Sequence, residues 1–119
     1  MSSFIISGSR GSDDPTMATL PFIAAKTAKE AGHDVTLWLW NEAVLLSRKG
    51  GADHIKGVNL LPLKDILESV LALGIPIWVC GACAYGRGMV DEDLIPNSVI
   101  KAMPDYINAT LDFDKSITF

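Results

Sequence analysis

The sequence predicts an α/β fold, a three-layer α/β/α sandwich built on a mainly parallel five-stranded sheet. Two observations carry this. Short apolar runs alternate along the chain with helix-like stretches of about 10 to 15 residues, the pattern of a parallel sheet with crossover helices. The run Val35-Thr36-Leu37-Trp38-Leu39-Trp40 is apolar on both alternating sides apart from one Thr, as a strand covered on both faces requires. At 119 residues the chain is read as a single domain over 1–119.

The elements follow in order. Phe4-Ile5-Ile6 is a strand leading into the polar, glycine-bearing loop Ser7 to Asp14. Asp14 stands where an N-cap belongs and Pro15 suits the first helical turn. Met17, Leu20, Ala24, Ala28 and Ala31 repeat at helical spacing before Gly32 closes the helix. After the Val35 strand, Asn41 is read as the cap of a short helix through Leu45 and Leu46, ending at Arg48-Lys49-Gly50-Gly51. Val58-Asn59-Leu60-Leu61 reads as a weak strand or an extended connector. Pro62 opens a helix whose apolar face is Leu63, Ile66, Leu67, Val70 and Leu73, with Gly74 as its stop. Ile75 to Cys80 is the strongest strand. Then come an acidic turn Asp91-Glu92-Asp93, a helix from about Pro104 to Asp112, and a closing strand Ile117-Thr118-Phe119. Right-handed crossovers place the loops after Ile6, Trp40 and Cys80 on one carboxyl edge, where open α/β sheets build their sites.

Composition excludes several functions. A net charge of -4 and no Lys/Arg cluster speak against nucleic acid, and 20% charged with 49% hydrophobic residues is not a disordered composition. Ser69 to Gly86 is uncharged and just long enough to span a bilayer. Its break at Gly74-Ile75-Pro76 makes it a helix end followed by a buried strand, so no membrane partner is expected. Two cysteines without a secretory leader point to a reducing, cytoplasmic setting, with free, ligating or catalytic thiols. Gly and apolar residues together make up about 55% of the chain, above the ~45–50% of ordinary soluble domains. The surplus is read as a subunit interface.

The sharpest local feature is Cys80-Gly81-Ala82-Cys83, at the end of a buried strand and the start of a short helix. Amide donors at a helix start favour a thiolate, and Arg87, four residues after Cys83 on the same helical face, is expected to add positive field. Buried structural thiols are the plain alternative. Zinc is not expected: two Cys lack two further ligands, since His33 precedes the Val35 strand at the opposite sheet end and His54 lies in the Gly50 to Gly57 loop. Dithiol–disulfide exchange is a second reading of the Cys-x-x-Cys spacing, although a thioredoxin motif follows an early strand and this one comes late. Persulfide chemistry is the third.

The run Cys80-Gly-Ala-Cys83-Ala-Tyr-Gly-Arg87-Gly88 resembles the DsrE/DsrF-like sulfur-relay family, with its TusD and YchN-type members, in which a strand-terminal cysteine is followed seven residues later by Arg-Gly. The likeness extends to Asp14-Pro15, to Ala-Gly-His-Asp-Val before the second strand, to Ala43-Val44-Leu45-Leu46 followed by Lys49-Gly50, and to the closing helix and strand. The resemblance implies a small sandwich assembled as trimers or hexamers, with the cysteine loop near a subunit interface. It also implies a persulfide carried on Cys80 between sulfur donor and acceptor proteins. The resemblance thus implies a sulfurtransferase-like carrier rather than a turnover enzyme, with no cofactor expected. Cys83 stands where relay members often have Ala; it would resolve the persulfide, assist ligand binding or fill space. A non-catalytic oligomeric scaffold or small-ligand binder with incidental cysteines is the remaining class.

Weaker candidates complete the site. Gly81 and Gly88 shape the cysteine loop, and Trp40 at a strand's carboxyl end is placed to wall the site. Asp14 stands in the adjacent loop, where with Asp13 it is read as a helix cap beside a solvated neighbour. Gly8-Ser9-Arg10-Gly11 lacks the spacing of a phosphate-binding loop.

Overall fold

The computed structural model describes residues 1–119. Its elements are β1 (Ser3–Gly8), α1 (Pro15–Glu30), β2 (Asp34–Leu39), a 3-10 helix (Asn41–Ser47), α2 (Leu63–Ala72), β3 (Ile77–Cys80), α3 (Gly81–Gly86), β4 (Ser98–Lys101), α4 (Met103–Asp112) and β5 (Lys115–Thr118). The five strands form one sheet in the order β4-β3-β2-β1-β5. Every pairing is parallel. The α/β sandwich is as the alternation predicts, but its fifth strand is not. Val58–Leu61 forms turns held by a single bridge from Lys56 to Pro62, so the connector reading is the right one. The missing strand is β4, four residues on the sheet's outer edge.

Period-2 alternation sorts the sheet into two faces. Ile6, Leu37, Ile77 and Val79 are fully buried, with α1 and α2 packed against one another nearby. Ser7, Trp38 and Trp78 are set in adjacent register. On that face Tyr106 of α4 stacks on Trp38 at 4.9 Å and its hydroxyl accepts a buried hydrogen bond from Ser7 Oγ at 2.9 Å, while Trp78 meets Phe113 edge-on. Chain direction explains the layers: β1 to β4 advance across the sheet in one direction, and α4 then crosses back to set β5 beside β1.

Asp14 caps α1, its Oδ1 accepting the Met17 amide at 3.1 Å. The buried face of α1 is not the expected Met17/Leu20/Ala24/Ala28/Ala31 stripe, however. It is Ala18, Phe22 and Ala25, because the single large aromatic decides which side enters the core. Asn41 does not cap the 3-10 helix; it is that helix's first residue, in the left-handed region at φ 54°. Asn tolerates that conformation better than other side chains. No helix is long and apolar enough to cross a membrane.

Much of the apolar surplus is not buried. Met103, Ile107 and Leu111 recur at four-residue spacing along α4 and are exposed, Leu111 to 79%, together with Val99 on the edge strand. Within the core, Ile77 is fully buried in the central strand pair, and Ile77→Ala should lower the unfolding free energy by about 2–5 kcal/mol in denaturant titration. A loss below about 0.5 kcal/mol would place β3 outside the core.

Candidate functional site: a two-cysteine turn between two clefts

β3 ends at Cys80 and α3 begins at Gly81, with no loop between. Gly81 fits closely there: a Cβ would stand 3.0 Å from Ile100 Cγ2 of the neighbouring strand, which would have to shift to admit it. The six residues of α3 make Cys80 the N-cap and Cys83 the third helical position. These two positions share the first turn of the helix, and the neighbouring Cys83 thiol weakens the acidity of Cys80.

They nevertheless open in different directions. Cys80 is only 4% exposed and lies at the wall of a cleft of about 500 Å³ with Tyr85, Lys101, Met103 and Asp105, over the ends of β3 and β4. Cys83 is half-buried and lines a separate cleft of about 410 Å³ with Ser9, Trp40, Asn41, Thr118 and Phe119. That second cleft lies over β1, β2 and β5, where the strand order turns back on itself. Trp40 thus walls the Cys83 side, its ring 4.9 Å from Tyr106.

Arg87 is the fastening of the site. Its Nε donates to Glu42 Oε1 at 2.9 Å and its Nη2 makes an ion pair with the same oxygen at 2.8 Å. Nη1 donates to the Cys83 carbonyl at 3.1 Å and Nη2 to Asn41 Oδ1 at 3.1 Å. Asn41 in turn directs its backbone N–H at Cys83 Sγ, 3.2 Å away, and its side-chain amide donates to the Ser9 carbonyl at 3.2 Å. The left-handed backbone at Asn41 turns that amide toward the sulfur.

This corrects the electrostatic expectation. Arg87 was expected to bias the loop toward thiolate, but its charge is matched by Glu42 and its donors hold backbone and Asn41. Burial pushes the Cys80 thiol above its usual range, and interaction with Cys83 adds to that; the amides of Cys83 and Ala82 pull the other way and are outweighed. A six-residue helix supplies too little field to overcome desolvation. Cys80 is therefore a protonated thiol at neutral pH.

The other candidates fall into place around this turn. Gly88 takes φ 77° where the chain leaves α3. Asp14 is spent on capping α1 and lines neither cleft. Asp13 is the exposed neighbour expected beside that cap; it accepts the Gly11 amide at 2.8 Å and pairs with Arg10 at 3.1 Å, and both hold its carboxyl below the usual range. His33 accepts the Ser2 amide at 3.0 Å beside Phe4, at the amino edge of the sheet and away from Cys80. Sequence reasoning missed Asn41 as a site residue, along with Glu42, Tyr85 and Lys101. Asn41 and Lys101 each stand at the carboxyl end of a strand, the one signal that marks them. Tyr85 donates to Asp91 Oδ1 at 2.6 Å, and that carboxylate holds its phenol above the usual range.

An all-parallel α/β sandwich with a thiol pair at the carboxyl ends of its strands defines the class. The chain belongs to the DsrE/DsrF-like family, whose model matches residues 2–119. It is 31% identical over 96 residues to an uncharacterized protein of Methanopyrus kandleri, covering 80% of this chain and 75% of that one. It is 29% identical over 101 residues to protein YchN of Escherichia coli, covering 85% and 83%. The crystal structure of the Escherichia coli YchN protein superposes with a TM-score of 0.83 at 24% identity over 100% of both chains. A protein of unknown function from Methanobacterium thermoautotrophicum superposes at 0.70 with 12% identity over 98% and 96%. The family and fold expected from the motifs are thereby established.

Two outcomes follow from the geometry. Because its folded-state acidity is weakened, Cys80 should alkylate more slowly than a free cysteine at pH 7, with a rate still climbing beyond the usual thiol range; a plateau below pH 8 would contradict it. Arg87→Gln should release Asn41 and raise Cys83 alkylation severalfold in peptide-resolved mass spectrometry, and an unchanged rate would show that the clamp does not control that thiol.

Proposed function

We propose that the protein is a persulfide carrier, in which Cys80 accepts a sulfane sulfur from a donor protein and passes it to a cysteine of an acceptor. The observation that carries this reading is the setting of Cys80: a thiol buried at a cleft wall, at the junction of β3 and the first turn of α3. In the loading step the Cys80 sulfur attacks the outer sulfur of a donor persulfide. One S–S bond forms and one breaks, the donor leaves as a thiol, and the Cys80 proton passes to it. A hydropersulfide is a stronger acid than the thiol it replaces, and its outer sulfur reaches one bond further into the cleft. The Ala82 and Cys83 amides, outweighed by burial in the case of the thiolate, suit the softer and more readily formed persulfide anion. Lys101 lines the same cleft, its ammonium resting 5.1 Å above the Trp78 ring. Unloading reverses the step on the acceptor's thiolate.

Membership of the DsrE/DsrF-like family supports this reading, and free thiols suit a cytoplasmic setting. The exposed Met103, Ile107 and Leu111 stripe on α4 starts beside the Cys80 cleft, and we propose that it is covered by further copies of the chain in a trimer or hexamer.

Intact mass after treatment with a persulfide donor should show the gain of one sulfur, abolished in Cys80→Ser. No adduct on the wild type, or an equal adduct on Cys80→Ser, would end the carrier reading. Light scattering should give a trimer or hexamer at micromolar concentration; a clean monomer would remove the assembly from it.

A further inference from the structure

The two thiols stand three residues apart at the start of α3 and line separate clefts, Cys80 with Tyr85, Lys101 and Met103, Cys83 with Trp40, Asn41 and Phe119. Cys83 is the chain's one other thiol and sits on the same helical turn, so it is the group placed to attack the inner sulfur of a Cys80 persulfide by thiol–disulfide exchange. Cys83 is also held for the attack. Its sulfur accepts the Asn41 amide at 3.2 Å, its carbonyl accepts Arg87 at 3.1 Å, and both contacts depend on residues outside α3.

We propose that Cys83 is a resolving thiol that discharges an unclaimed Cys80 persulfide as hydrogen sulfide, leaving a Cys80–Cys83 disulfide. This rests on the carrier reading and adds an exit from it. The Cys83 sulfur, losing its proton, attacks Cys80 Sγ; the bond from Sγ to the outer sulfur breaks, and the outer sulfur leaves with both electrons and takes up protons as hydrogen sulfide. The sulfane sulfur is reduced and the two cysteine sulfurs are oxidised, so no outside oxidant or reductant enters. The Cys-x-x-Cys spacing places the two partners at the N-cap and third position of a single helical turn. The disulfide closes the carrier to further loading until a cellular dithiol reduces it. The pair thus sets a limit on how long sulfur is held when no acceptor arrives.

The test uses the full chain loaded with one equivalent of a persulfide donor, freed of small molecules, and followed by intact mass and by trapping of released sulfide. The wild type should lose the added sulfur, release one equivalent of sulfide, and end two hydrogens lighter than the reduced protein. Cys83→Ser and Cys83→Ala should both keep the adduct, slowing sulfide release by about tenfold or more, the least that an intramolecular thiol of high effective concentration contributes. Loss at the wild-type rate in both variants, or a wild type that returns to the reduced mass, would overturn the resolving role while leaving the carrier intact. Absence of any adduct in Cys83→Ser would overturn the carrier reading, and the resolving step with it.

Discussion

The site depends on one constraint: a central strand passes into a helix with no residue between them. Cys80 is the last residue of β3 and Gly81 the first of α3, so the thiol is held by the sheet on one side and by helix amides on the other. Ile100 packs so closely on Gly81 that an added side chain would displace it. Burial of Cys80, the placing of Cys83 on the same turn, and the separation of the two clefts all follow from this junction. A looser connection would expose the thiol and let the pair drift apart.

Arg87 shows how a residue's chemistry is redirected by its partners. A guanidinium four residues from a cysteine suggests activation, yet here its strongest contact is Glu42, forty-five positions away in the chain. Five donors in a rigid fork suit it to bind a carboxylate, a carbonyl and an amide oxygen together. It works as a clasp between α3 and the segment after β2. The weakened acidity of Cys80 is consistent with this division: burial governs that thiol, and the guanidinium is occupied elsewhere.

Much of the fold was legible because its elements differ in period. The both-sided apolar run of β2 and the capped start of α1 carry their assignments locally, and the order of motifs around Cys80 to Gly88 marks the family. What escaped has physical causes. β4 is a four-residue strand following Pro96-Asn97, half-buried at the sheet edge with Val99 exposed, and too short for a hydrophobic pattern to announce it. The buried face of α1 is decided by Phe22 entering the core, a tertiary choice that a chain of Ala positions does not express. The cysteine turn was readable as a place for chemistry, whereas Asn41, Glu42 and Lys101 join it only through strand order and register. The thiol's acidity was misjudged because desolvation depends on neighbours that fold over it.

The most direct measurement is a crystal structure of the protein after treatment with a persulfide donor at an early time. The account predicts additional density for one sulfur bonded to Cys80 Sγ and directed toward Tyr85, Lys101 and Met103. Density on Cys83 in the Trp40 and Phe119 cleft, with Cys80 unmodified, would contradict it.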